Sequence, residues 1–126
     1  MGILEASAPV ILVCVRDRVR AIEFYRDTLG LKMTLEDKFA AVFDIGGIML
    51  RVSTKADFVP HEHSILGFRV ADVTSTVKAL REKGVAFNFY TGFKQDELGV
   101  WTVPGGSTHV AWFKDLDGNV LSITDV

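Results

Sequence analysis

Two hydrophobic rhythms run along this chain. Where apolar and mixed positions alternate, the residues divide into two faces, as a pleated strand requires. One face collects Ile11, Val13 and Val15, then Leu50 and Val52, then Leu66, Phe68 and Val70, and finally Leu121 and Ile123. The intervening positions are mixed: Val10, Leu12, Cys14; Met49, Arg51, Ser53; Ile65, Gly67, Arg69; Val120, Ser122, Thr124. The uniform set suits a surface buried under helices, and the mixed set suits a wall lining a pocket. Elsewhere apolar residues recur at helical spacing, at Ile22, Tyr25, Leu29 and again at Val73, Val77, Leu80. Each of these runs predicts a helix with one buried stripe.

The elements come twice in the same order. Val13 to Asp17 leads into a helix that stops at Leu29-Gly30-Leu31, and 55 residues later Phe68 to Asp72 leads into a helix that stops at Lys83-Gly84-Val85. An Asp before each helix can accept from its first free amides, and Gly tolerates the left-handed ending. Asp44-Ile45-Gly46-Gly47 and Asp115-Leu116-Asp117-Gly118-Asn119 are turns leading into a last strand. Each half has room for two more strands, near 32–35 and 39–43 in the first and near 86–90 (with 99–103) and 109–114 in the second. The chain therefore reads as two tandem βαβββ modules of α+β class, about 8–59 and about 63–126, within a single domain spanning 1–126.

Composition narrows the class. A length of 126 residues and 13.9 kDa suits one domain. Fourteen Lys and Arg against sixteen Asp and Glu, with no long basic run, lack the footprint of a nucleic-acid binder. The longest strongly apolar run, eight residues at 8–15, is too short to span a membrane. A single cysteine, Cys14, permits no internal disulfide and fits a reducing compartment. With no basic leader at the N-terminus, a cytoplasmic protein is expected.

The stretch VRDRVRAIEFYRDTLGL, followed much later by FKDLDGNVLSI, resembles the vicinal oxygen chelate superfamily, which includes glyoxalase I, bleomycin-resistance proteins, extradiol dioxygenases and fosfomycin-resistance enzymes. The resemblance covers about 8–124. It implies βαβββ modules whose strands form a curled mixed sheet with a cleft, the helices lying on the convex side. It also implies four metal-ligand positions, on the first and last strand of each module, and alignment puts these at Val10, Arg51, Ile65 and Ser122. Relatives that use a metal carry His, Glu or Gln there. Two aliphatic groups, a hydroxyl and a permanent cation do not suit a divalent ion, so no metal and no cofactor is expected.

Other residues carry the candidate chemistry. Arg51 is the chosen anchor for an anionic ligand, its alternative being an internal ion pair. Ser122, Arg69 and Met49 share the inferred pocket face, and Phe93 and Trp101 flank a polar loop expected to act as a lid or rim. His109 is the candidate base. His61 and His63 form a His-x-His pair that could chelate an ion, although the segment reads more simply as a solvated linker. The expected function is binding of a small organic, possibly anionic, molecule by a homodimer. The alternatives are a metal-dependent glyoxalase, lyase or dioxygenase with non-standard ligands, and a cofactor-independent lyase or isomerase in which Arg51 holds an oxyanion.

Overall fold

The computed structural model describes residues 2–126, which divide into two compact units, one ending at Phe58 and the other running from Val59 to Val126. In the first, β1 (Val10–Val15) pairs in parallel with β4 (Ile48–Thr54), and β2 (Lys32–Glu36) and β3 (Ala40–Ile45) complete an antiparallel run in the order β1-β4-β3-β2. The second repeats this with β5 (Ser64–Arg69), β6 (Trp101–Thr102), β7 (His109–Lys114) and β8 (Val120–Thr124), ordered β5-β8-β7-β6. The tandem βαβββ reading is correct, and the strands form two open four-stranded mixed sheets. Among the described residues no helix is long and apolar enough to cross a membrane.

The helices begin and end where their side chains dictate. Asp17 accepts from the backbone N–H of Arg20 at the start of α1 (Arg18–Ile22), and Asp72 accepts from that of Ser75 at the start of α2 (Val73–Glu82). Gly30 and Gly84 follow the helical segments with φ of 76° and 93°, a conformation that costs glycine little. α1 continues into a π-helical stretch, Glu23–Thr28, in which the Leu29 N–H reaches back five residues to the Phe24 carbonyl at 2.9 Å. The wider turn lets the consecutive rings of Phe24 and Tyr25 both enter the core.

Burial alternates along β1, β4 and β7, whereas four consecutive residues of β3, Ala40–Phe43, are buried. Val13, Val15, Leu50 and Val52 are buried in the first module with Tyr25 and Phe43, while Leu66, Leu121, Ile123, Ala111 and Phe113 are buried in the second with Val77. Of the mixed set only Val120 is fully buried. The turn before β8 is knotted by Asp115. One of its oxygens accepts from the N–H groups of Asp117 and Asn119, and the other from the Asn119 side-chain amide, all at 2.8–2.9 Å.

One strand differs from expectation. The segment 86–90 contributes only an isolated bridge, Phe87 to Phe113, and the short β6 takes the edge. The reason is local: the Gln95 side chain accepts from the Tyr90 N–H and donates to the Asn88 carbonyl. Those backbone groups are thereby withdrawn from ladder pairing.

Candidate functional site

In the second module, Trp112 lies opposite Ser122 and Lys114 opposite Val120 across the β7–β8 pair. Alternation puts these four residues on the face away from Ala111, Phe113, Leu121 and Ile123. A register shift in β5 between Ser64 and Leu66 sets Ser64 opposite Val120, and its hydroxyl donates to that of Ser122 at 3.0 Å. Ser122 thus sits in a hydroxyl pair that the sequence gives no sign of, because a bulge changes which residues share a face.

Over this face stands an aromatic wall. Phe93 stacks on Trp112 with centroids 5.5 Å apart and planes 16° from parallel, and it lies 4.9 Å from Trp101. Tyr90 meets Trp112 edge-on at 5.5 Å. The wall is only partly covered. Phe93 is 44% exposed, and Tyr90, Trp101 and Trp112 are half-buried. The loop carrying Tyr90 and Phe93 is pinned by Gln95, which uses its oxygen on the Tyr90 N–H and its nitrogen on the carbonyls of Asn88 and Gly99, each at 2.8 Å. Asp96 further accepts from the N–H groups of Leu98 and Val100. Bonds of this kind make the loop a fixed rim.

Two adjoining recesses open here. One, of about 310 Å³, is lined by His63, Ser64, Tyr90, Phe93, Trp112 and Val120. The other, of about 330 Å³, is lined by Pro60, His61, Tyr90, Lys114, Gly118 and Val120, and Glu62 borders both. His61 and His63 are exposed, as a linker reading expects, yet their rings stack at 5.0 Å and face the recesses. Phe93 and Trp101 are brought together as site candidates. Tyr90 and Trp112 belong with them, and their signal was present in the aromatic richness of this module. Lys114 and Ser64 were not singled out from sequence, although Lys114 lies two residues from Trp112 and so on its face.

Two of the remaining candidates belong to the first module. Arg51 and Met49 share one face of β4 in the first module, with Val10 and Leu12 beside them on β1. The Arg51 guanidinium is 3.7 Å from Asp37, a loose pair that leaves it a third exposed. Asp37 is committed elsewhere. The N–H groups of Phe39 and Ala40 hold its carboxyl below the usual range, with Arg51 adding a smaller effect. Arg69, at the end of β5, is exposed. His109 lies on the face of Ala111 and Phe113, away from Trp112 and Ser122. Its Nδ1 and backbone N–H both bond the Asp125 carboxylate at 2.7 Å, and these two bonds hold that carboxyl below its ordinary range. A carboxylate only accepts, so the proton resides on Nδ1.

The four positions implied for a divalent ion do not fit one. Val10 and Ile65 offer no donor atom, Arg51 offers only donors of hydrogen and a positive charge, and the Ser122 hydroxyl is engaged with Ser64. Among the described residues no three His, Cys, Asp or Glu side chains are grouped so as to hold a metal.

Residues 8–123 match the family model described as the glyoxalase/bleomycin resistance protein/dioxygenase superfamily. The uncharacterized protein YraH of Bacillus subtilis is 32% identical over 90% of this chain and 93% of its own length. The metallothiol transferase FosB of Staphylococcus haemolyticus is 24% identical over 86% of this chain and 76% of FosB. Among solved structures, a superfamily member from Sphaerobacter thermophilus superposes with a TM-score of 0.74 at 19% identity, covering 97% of this chain and 98% of that one. TnmS3, an antibiotic binding protein from Streptomyces, superposes with a TM-score of 0.72 at 24% identity, covering 97% of each. With the twofold βαβββ repeat, these matches establish that the chain belongs to the glyoxalase/bleomycin resistance protein/dioxygenase superfamily.

Proposed function

We propose that this chain is a small-molecule-binding protein that takes a flat organic ligand against the aromatic wall of its second module, without a divalent metal. The observation that carries the reading is the near-parallel Phe93–Trp112 stack with Trp101 beside it, part-exposed yet fixed by the Gln95 bonds. Rings of this size left partly open expose apolar surface that a planar ligand covers, and their faces favour offset stacking. A rim already held in place loses little freedom on binding, which favours affinity. The unsuitable donors at Val10, Arg51, Ile65 and Ser122 support the absence of a metal. The antibiotic binding by TnmS3 is consistent with this use of the fold. The reading also has the chain pairing with a second copy in the cytoplasm.

Trp101 and Trp112 are the only tryptophans, so intrinsic fluorescence reports on the wall directly. Planar aromatic compounds are expected to quench it saturably, and apolar aliphatic compounds of similar volume are not. Equal response to both sets, or none to either, overturns the reading. The FosB relatives favour a second one, a metal-dependent transfer reaction with other ligands, for which His61 and His63 are the available donors. Metal analysis of the purified protein separates the two. Stoichiometric metal, with melting lowered by a chelator, would establish the second reading.

A further inference from the structure

The geometry points to a more specific ligand class for the same recess: a planar aromatic ring bearing an oxyanion, its ring against Phe93 and Trp112 and its anionic group in the adjoining pocket beside Lys114, Tyr90 and His61. This inference rests on the aromatic wall being the binding surface. It follows from how hydrogen-bond donors are distributed between the two recesses.

Tyr90 belongs to both. Its ring abuts Trp112 and Phe93, while its phenolic oxygen accepts from the Asn88 side-chain amide at 3.0 Å. With that lone pair engaged, the phenol's own O–H remains to be donated. Lys114 lines the second recess, and among the described residues no carboxylate lies within ion-pair distance of its ammonium. His61 adds an imidazole on the same wall. A cation and a phenolic donor beside an apolar stacking surface suit a ligand that is aromatic at one end and negatively charged at the other. A carboxylate, phenolate or sulfonate meets this requirement equally.

Glu62 also borders both recesses and opposes an anion there. It is exposed, so solvent screens its charge, and its effect is to weaken binding rather than abolish it. This assignment differs from the Arg51 anchor expected from sequence. Arg51 lies on the first module beside Asp37, whereas Tyr90 packs on the stacked rings and Lys114 lines a recess with Tyr90.

The test is a tryptophan-fluorescence titration of the full chain with a naphthoate and with the matching neutral naphthamide, in wild type and in Lys114→Gln, Tyr90→Phe and Glu62→Gln. The naphthoate is expected to bind about tenfold tighter than the amide or better, as loss of a charge-assisted bond implies. Lys114→Gln should remove most of that preference. Tyr90→Phe, which keeps the ring, should reduce it, and Glu62→Gln should increase it. If naphthoate and naphthamide bind alike in all four proteins, the oxyanion assignment fails while the aromatic reading survives. A preference for naphthoate that ignores Lys114 and Tyr90 also overturns the assignment, and places the anion elsewhere. If neither compound alters the emission, the aromatic reading itself fails. Thermal melts of each variant confirm that the fold is intact, and the conservative Lys114→Arg should retain the preference.

Discussion

Gln95 shows how much one side chain can decide in this fold. Three hydrogen bonds from a single amide hold the turn that presents Tyr90 and Phe93, and nothing in the local pattern marks that glutamine as different from its polar neighbours. Gln95→Ala would leave the Asn88 and Gly99 carbonyls without that partner. A loss of about 1–3 kcal/mol in urea unfolding is expected, with a change in tryptophan emission as the Phe93–Trp101 contact loosens. Arg51 calls for the opposite expectation. Its distance to Asp37 and its exposure describe a weakly coupled pair, so Arg51→Ala should leave the melting temperature nearly unchanged. Unfolding of that variant would show the pair to be structural. The side of β7 that His109 takes is a matter of register, and register is settled by Phe113 and Ala111 seeking the core.

At the scale of elements, the repeated starts and stops were readable because each rests on a residue acting on its immediate neighbours. Asp17 and Asp72 cap by reaching three residues ahead, and Gly30 and Gly84 end the helical segments through their own backbone freedom. Asp72→Ala should therefore cost about 1 kcal/mol, measurable as a lower urea midpoint with an unchanged slope. The pairing of β7 with the C-terminal end has its own pH signature. Asp125 has its carboxyl depressed by the His109 backbone N–H and ring, so its contribution is complete above the ordinary carboxyl range near about pH 4. It is lost as pH falls through the lower folded-state value. Melting temperatures of wild type and Asp125→Asn should differ near neutral pH and converge in acid. A gap that persists below pH of about 2 would show that the contact does not depend on ionisation. The apolar residues of 86–90 alternate as a strand's do, yet the segment forms only an isolated bridge. The Asn88 carbonyl and the Tyr90 N–H bond the Gln95 side chain instead, a competitor that strand propensity does not register.

For the whole molecule, the two modules share a topology and differ in surface. In the first, the face of β1 and β4 leaves Val10, Leu12 and Met49 exposed, Leu12 by 69%. In the second, the corresponding face is roofed by aromatic rings. Exposed aliphatic sheet surface of that kind supports the proposed pairing of chains. Sedimentation at micromolar concentration should give twice the 13.9 kDa chain mass, and Leu12→Lys should shift the population toward a single chain. A species of chain mass alone in the wild type would refute the pairing.

The sequence by itself determined the repeat, the α+β class, the capped helices, the buried face of each sheet and the family. All of these depend on periodicity or on contacts a few residues long, and such signals survive in one dimension. It also made the implied metal positions readable as chemically unsuitable, since residue identity alone decides whether a donor atom exists. Only the tertiary structure decided that Tyr90, Phe93, Trp101 and Trp112 form one wall, that Ser64 reaches Ser122, and that Lys114 and Tyr90 line one recess. Those relations join residues separated by up to 58 positions and turn on one bulge and one glutamine. Contacts of that reach are fixed by how the strands come into register, and the linear pattern carries no measure of it.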